Sequence, residues 1–229
     1  MAKTITHNEQ GKASWGNGDH LEVAQNRSFA SMIFETLSEK APTDGELKVF
    51  ELILNLSIDH GPDTPSAKEA ITQANERKSI SESVAAGIMK IDDVHGGAQE
   101  KLMELFYRVQ GIGYRVQDLV KEKLEKGERI PGYGHRFYKD TDPRAQLILT
   151  CLKENGFSDE FVNIARDLEK ELETQKGTKL PLNVDGAIAV ALCTFGWEAR
   201  LGKAVFIIAR TPGLCAHFLN NSFDKHLIL

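Results

Sequence analysis

The chain has 229 residues, 41% hydrophobic and 27% charged, with a formal net charge of −5. This excludes a disordered or fibrous chain, allows one large domain or two small ones, and argues against nucleic-acid binding, which needs a basic face. Its three cysteines, Cys151, Cys193 and Cys215, are odd in number and lack CxxC spacing, so a disulfide framework or zinc site is not expected and a reducing cytoplasm is.

Taken in chain order, residues 1–27 form a polar, glycine-containing segment, either a tail or a small hairpin turning at Gln10-Gly11-Lys12. From Ser28, a plausible cap, a helical period places Phe29, Met32, Ile33 and Leu37 on one face. Thr43 caps a second helix with Leu47, Phe50, Leu54 and Leu56 inward, stopped by Gly61-Pro62. Pro65-Ser66 opens a third helix through about Asn75, and Ser79 a fourth, whose Ala85-Ala86-Gly87 invites close approach of another helix. A fifth spans about Gly97 to Val109 and a sixth about Tyr114 to Lys126. After a loop over 127–141, Pro143 suits the first turn of the next helix, to Glu154, and Ser158 starts another to about Gln175. Val184 to Phe195 is apolar almost all round and reads as central. Leu201 to Leu219 is the last helix, with Pro212-Gly213 as a kink site. Its apolar run Ala204 to Ala209 is too short to span a membrane, and no N-terminal signal segment is evident. The fold class is all-α, with candidate chemistry at helix ends and in loops.

The most informative run is His135 to Arg144, entered through Pro131-Gly132-Tyr133-Gly134, because it delivers a histidine and several cations to one place. His135 reads either as a surface-loop histidine or, with Arg136, Lys139 and Arg144, as part of a site for carboxylates or phosphates. The loop is no P-loop, since it lacks the GKS/T ending. His95, followed by Gly96-Gly97, is either a turn residue or a neutral imidazole at a helix N-terminus able to donate to a carbonyl oxygen. Asp185 is either an ordinary N-cap or a desolvated carboxylate with a pKa raised toward that of a general base. Arg210 either snorkels to solvent or waits, buried, for an acid ligand. His60 is a helix C-terminal cap or a ligand. His7, His20, His217 and His226 have no supporting context, and Trp15 and Trp197 read as packing residues. No HxxxH or HExxH pair exists, so no metal is expected.

Together, His60-Gly61 with Pro65-Ser66-Ala67, His95-Gly96-Gly97-Ala98, Pro131 to Arg136 with Asp142-Pro143-Arg144, Asn183-Val184-Asp185 and Ala209-Arg210-Thr211 resemble, in order, the motifs of the citrate synthase superfamily over residues 28–220. The resemblance implies a citrate-synthase-like helical domain over 28–229, with a smaller mobile subdomain at about 97–190 that bends near Gly111, Gly113 and Gly127. It implies that His95 stabilises the enol of a thioester, that His135 works on the oxygen of the oxo-acid or alcohol, and that Asp185 moves the methyl proton. It further implies that His60, Arg144 and Arg210 hold carboxylates, and that Pro131, Gly132, Tyr133, Gly134, Arg136 and Lys139 lie along coenzyme A. No cofactor beyond the coenzyme A thioester substrate is implied, and the expected partners are small molecules (oxaloacetate or a citrate moiety) and a second copy of the chain, not nucleic acid or membrane.

The chain departs from full citrate synthases, which resemblance leads one to expect to have many more residues before the His60 motif and a basic Arg-Pro segment at the end. Here Lys225 is the candidate substitute. The compact length and the Asp59-His60-Gly61-Pro62 and Asn183 to Gly186 runs look more like citryl-CoA lyases and the module that ends ATP-citrate lyase. The expected reaction is therefore cleavage of citryl-CoA to acetyl-CoA and oxaloacetate. His135 takes the hydroxyl proton, His95 stabilises the enolate oxygen, and Asp185 in its acid form protonates the carbon. The rivals are a short citrate or 2-methylcitrate synthase, a non-catalytic acyl-CoA-binding or assembly subunit, and one subunit of a complex whose other half sits on a partner chain.

Overall fold

A computed structural model of the chain describes residues 3–16, 18–92, 95–111 and 114–222. Gly113, Lys225 and His226, singled out from the sequence, lie outside the described residues. The chain divides into two compact units, Met1–Leu52 and Ile53–Leu229.

In the first unit β1 (Ile5–His7), β2 (Ala13–Trp15) and β3 (Gly18–Asp19) form an antiparallel sheet in that order, with Ile5 opposite Trp15 and His7 opposite Ala13. The hairpin turns where the sequence indicates. Gly11 has φ +76°, and Asn8 Oδ1 accepts from the backbone N–H of Gln10 and Lys12. Helix α1 (His20–Asn26), capped by Asp19, buries no residue, so it left no periodic apolar signal to read. Helix α2 (Phe29–Ser38) starts at its Ser28 cap, but Phe29 is 80% exposed rather than inward. The buried face begins one turn later, at Ile33 and Phe34.

Helix α3 (Asp44–Ser57) begins with a reciprocal Thr43–Glu46 capping pair. Of its expected inward residues only Phe50 is fully buried, edge-on to Phe34 with ring centroids 5.3 Å apart; Leu47, Leu54 and Leu56 are half-buried. Val49 and Ile53 take their place in the core. Glu35, buried in α2, is neutralised by Lys3 and Arg27, as a buried carboxylate must be.

The second unit is helical. Helices α4 (Pro65–Asn75) and α5 (Ile80–Ile88) pack on each other and on α11 (Leu201–Asn221). Gly87 makes the α4–α5 approach possible, since a Cβ there would stand 2.9 Å from the Ser66 carbonyl. Helices α6 (Ala98–Gln110), α8 (Pro143–Glu154) and α9 (Glu160–Lys176) surround α10 (Val184–Thr194), and α7 (Val116–Glu125) lies on α9. Every residue of α10 from Gly186 to Cys193 is buried, which explains its all-round apolar sequence. Pro65 and Pro143 both sit in a first helical turn, where the missing N–H costs nothing. Helix α11 continues through Pro212, and Trp15 and Trp197 are packing residues at 7% and 5% exposure. Among the described residues no helix is long and apolar enough to cross a membrane.

Candidate active site

The ends of four helices and one mid-helix arginine converge on a cavity of about 180 Å³. His60 follows α3, His95 precedes α6, His135 lies in the loop before α8, Arg144 is in the first turn of α8, Asp185 in the first turn of α10, and Arg210 within α11. All six line the cavity, together with Ser57, Gly96, Asn183 and Phe206 among others. Residues that span 150 positions of sequence thus meet in one place because helix termini, not helix faces, point there.

His95 is fixed by α4. The Ser66 backbone N–H, in the first turn of that helix, points at His95 Nε2 at 3.4 Å, and the Ser66 hydroxyl lies 2.8 Å from the same nitrogen. A neutral ring that accepts at Nε2 carries its proton on Nδ1, where it is a hydrogen-bond donor. Burial, then the positive charge of Arg210, lower the His95 pKa, which keeps the ring neutral. Gly96 is required beside it. Its φ is +81°, and a Cβ would come within 2.2 Å of the Phe206 ring that packs edge-on to His95.

Arg144 organises the opposite wall. Its guanidinium is held in a two-point ion pair by Asp142, Nε to Oδ1 at 3.0 Å and Nη2 to Oδ2 at 2.8 Å. Asp142 is wholly buried, caps α8, and accepts from the Val184 N–H at 3.1 Å, so it ties the starts of α8 and α10 together. Burial works against its charge, but Arg144 and the backbone donors more than offset this and its pKa falls. The remaining Arg144 donors face His60 Nδ1 at 3.3 Å and His135 Nε2 at 3.2 Å. Burial first and Arg144 second lower the pKa of both histidines. His135 Nδ1 meanwhile faces the N–H groups of Phe137 and Tyr138, each at 3.2 Å. Three donors thus converge on a ring with one lone-pair nitrogen when neutral, so only one of the two ring nitrogens accepts at a time.

Asp185 is not the cap of α10. Asn183 is, its side chain accepting from the Gly186 N–H at 3.1 Å, which leaves the Asp185 carboxylate free for other work. Desolvation raises the Asp185 pKa to about 6, against the attraction of Arg144 and Arg210. Gln99 Nε2 donates to its Oδ1 at 2.8 Å. Arg210 is buried at 4% exposure rather than snorkelling. Its Nε donates to the Ser57 carbonyl at 2.9 Å, and Nη1 is buried with no partner among the described residues, a donor awaiting an acid.

A second cavity, of about 620 Å³, adjoins the first and shares Asn183 and Asp185 with it. Pro131, Gly132, Tyr133 and Gly134 line it as expected. Gly132, at φ +79°, lets the loop lie directly on α10, where a Cβ would meet the Gly186 Cα at 2.9 Å. Arg136 and Lys139 do not line this cavity. The Arg136 guanidinium lies over the Phe137 ring at 5.2 Å, and Lys139 donates to the His135 carbonyl at 3.1 Å. Its cations come instead from Lys101, Arg108, Lys123 and Arg129.

The sequence reading missed Ser66, Gln99, Asp142 and Phe206 as parts of the site: Ser66, Gln99 and Phe206 act on partners far away in the chain, and Asp142 holds the nearby Arg144 while tying it to the distant Val184. The Ser66 and Asp142 positions lay inside quoted motifs; Gln99 and Phe206 carried no local signal. His217 does have a context: its Nε2 lies 2.9 Å from Asp59 Oδ1, tying α11 to the segment that carries His60. Among the described residues no three His, Cys, Asp or Glu side chains are grouped to hold a metal ion.

Comparison with known proteins places the chain in a family. Residues 1–228 match the family described as Citrate synthase, C-terminal domain. A structure of citryl-CoA lyase from Hydrogenobacter thermophilus superposes with a TM-score of 0.89 at 39% identity, covering 96% of this chain and 85% of that one. ATP citrate lyase from Methanosaeta concilii, in complex with (3S)-citryl-CoA, superposes with a TM-score of 0.85 at 27% identity, over 98% of this chain and 38% of that one. A citrate synthase from Synechocystis is 30% identical over 205 residues, covering 87% of this chain and 51% of its own length. The chain spans about half the length of the citrate synthases it matches. It belongs to the citrate synthase family.

Proposed function

We propose that the protein cleaves citryl-CoA to acetyl-CoA and oxaloacetate. The observation that carries this reading is that Asp185 stands where the small arginine- and histidine-lined cavity opens into the larger, cation-rimmed one. A carboxyl at that junction touches the carbon shared by an oxo-acid and a thioester. The small cavity suits a dicarboxylic oxo-acid, with His60, Arg144 and the unpaired Nη1 of Arg210 as carboxylate donors. The larger one suits coenzyme A, its phosphates toward Lys101, Arg108, Lys123 and Arg129 and its pantetheine arm along Pro131 to Gly134. The 39% identity to a citryl-CoA lyase that the chain nearly spans supports the lyase direction.

In this mechanism neutral His135, in the tautomer whose lone pair is on Nε2 rather than on the Nδ1 that faces Phe137 and Tyr138, takes the tertiary hydroxyl proton on Nε2 as the carbonyl of oxaloacetate forms. The carbon–carbon bond breaks, and its electron pair moves into the thioester enolate. His95 Nδ1–H stabilises the enolate oxygen. Asp185, about half protonated near pH 6, delivers its proton to the terminal carbon to give acetyl-CoA. His135 and Asp185 then exchange protons with solvent to restore the starting state. The region at about 97–190 moves as a smaller subdomain over the ligand. The working unit is a homodimer or larger, a reading supported by Met89, which caps α5, and Leu219 on α11, apolar residues 84% and 52% exposed.

Incubation with citryl-CoA, and separately with acetyl-CoA plus oxaloacetate, tests the proposal. A lyase yields acetyl-CoA and oxaloacetate from citryl-CoA without free coenzyme A. Release of free coenzyme A from acetyl-CoA and oxaloacetate would make the protein a short citrate synthase instead, a reading favoured by the Synechocystis relative. Coenzyme A binding without turnover would make it a non-catalytic subunit.

A further inference from the structure

Gln99 is wholly buried, yet its polar atoms are poorly served. Nε2 donates to Asp185 Oδ1 at 2.8 Å, while Oε1 is buried with no partner among the described residues. A buried amide with one of its acceptors orphaned is worse for stability than an apolar side chain of the same length. The one bond this amide makes among the described residues is to Asp185.

The geometry around it is rigid. Gln99 is the second residue of α6 and Asp185 the second residue of α10, and these two helices pack on each other. Helix α11 presses on the Gln99 backbone through Gly202, where a Cβ would stand 2.9 Å from the Gln99 Cβ. The amide has little freedom to turn elsewhere. Its bond occupies one carboxylate oxygen of Asp185, and no described residue bonds the other.

We infer that Gln99 is a positioning residue that clamps Asp185 by Oδ1 and so makes Oδ2 the oxygen that exchanges a proton with the substrate carbon. The inference rests on the proposed role of Asp185 and adds to it which oxygen reacts and what holds it. An amide N–H stabilises the ionised carboxylate more than the acid, so Gln99 opposes the upward push of burial. The other groups that face Asp185 are Arg144 and Arg210, which also favour its charge, Asp142, which disfavours it, and the His60, His95 and His135 rings of the cavity. Without Gln99 the carboxyl holds its proton to higher pH.

Gln99→Met, which keeps the length and removes the donor, is the test, read by thermal unfolding, steady-state kinetics and a ¹³C carboxyl NMR titration assigned with Asp185→Asn. The expected result is a folded variant, shown by a cooperative thermal transition, with an Asp185 titration moved up by about one to two pH units, the size of a hydrogen bond to a charged group. kcat should fall about tenfold or more, with KM for the oxo-acid within about twofold, because only the proton-transfer geometry changes. The pH limb of kcat should move with the titration. An unmoved Asp185 titration with unchanged kcat in a folded variant overturns the inference. Should Gln99→Met fail to fold, Gln99→Glu carries the same test: two adjacent carboxyls must raise the Asp185 titration, and an unmoved one overturns the clamp. The NMR titration needs no turnover. If the wild-type protein acts on neither substrate set, the lyase reading fails while the titration still decides the role of Gln99.

Discussion

Asp185→Asn is expected to make the protein more stable while abolishing its activity. The Asp185 carboxyl titrates at about 6 in the folded chain, against 3.8 for the unperturbed group. The difference is about 2 units, and at roughly 1.36 kcal/mol per unit the ionised carboxylate opposes folding by about 3 kcal/mol at neutral pH. The asparagine removes that opposition and keeps the shape. It also leaves Arg144 and Arg210 with less negative charge between them, and both now stabilise the carboxylate. A net gain of about 2 kcal/mol remains, or roughly 4–8 °C in Tm for a chain of this size.

The sign follows from proton binding. A carboxyl with a raised folded pKa binds more protons folded than unfolded, so the wild-type protein gains stability as pH falls from about 6 toward 4. Asparagine does not titrate. The gap between variant and wild type is therefore full above pH 7, shrinks below pH 6 and is mostly gone by pH 4. Urea unfolding of both proteins at pH 7.5 and pH 4 measures it. A variant less stable than wild type at pH 7.5, or a gap equal at both pH values, refutes the desolvation argument. Activity toward citryl-CoA should fall by at least about 10³-fold, and a variant that keeps it removes Asp185 from the mechanism.

Ser66→Ala removes the hydroxyl from His95 but leaves the backbone donor, so kcat should fall about tenfold with Tm nearly unchanged; a wild-type rate would show that the α4 backbone alone fixes the ring. Lys101→Glu with Arg129→Glu should raise KM for the coenzyme A thioester about 10- to 100-fold and weaken its salt dependence, with kcat little changed; equal KM values would move the phosphates elsewhere. Gly132→Ala should destabilise the fold by about 2–4 kcal/mol in urea unfolding, since its Cβ would stand 2.5 Å from Leu102 Cδ2 on a backbone of positive φ. Oxaloacetate binding near pH 6 should take up protons, read by calorimetry in buffers of different ionisation enthalpy, and the uptake should drop in Asp185→Asn.

Much of the fold was legible because its helix boundaries carry local chemistry. Ser28, Thr43 and Ser79 cap helices where the sequence says, and the latter two form reciprocal pairs with Glu46 and Glu82. Pro65 and Pro143 mark first turns. Helix α1 was illegible because it buries nothing, and Phe29 was misassigned because a helix's first residue need not share the stripe that begins a turn later. In the site, the histidines, Arg144, Asp185 and Arg210 stand in glycine-rich or apolar surroundings that set them apart. Ser66, Gln99 and Phe206 do not. Their importance lies in contacts made 29 to 86 residues away for the first two, and in a ring against His95 for the third, and spacing along a chain cannot encode these. The charge pattern of the larger cavity was likewise invisible: Lys101, Arg108, Lys123 and Arg129 come from α6, α7 and the loop that follows, while the nearer Arg136 and Lys139 turn away.

The electrostatics of the small cavity form one coupled system. Burial and Arg144 hold His60 and His135 neutral, burial and Arg210 hold His95 neutral, and Asp142 already neutralises much of Arg144. The cavity's free positive charge is thus close to that of Arg210, and the carboxyl in its lining is Asp185, with a pKa of about 6. A dicarboxylate that enters brings two negative charges to Arg144, Arg210 and His60. Those arginines then stabilise the ligand rather than Asp185, and the ligand's own charge adds to the repulsion. Both effects raise the Asp185 pKa, so substrate entry itself loads the proton that cleavage must deliver to carbon. By reciprocity the protonated enzyme binds the dicarboxylate more tightly than the ionised one. The same group in the condensation direction must lose its proton with the oxo-acid already seated, where that loss is hardest. By microscopic reversibility the raised pKa that readies the acid for cleavage also makes the carboxylate a stronger base for condensation, so this coupling sets the pH dependence of the reaction and not its direction.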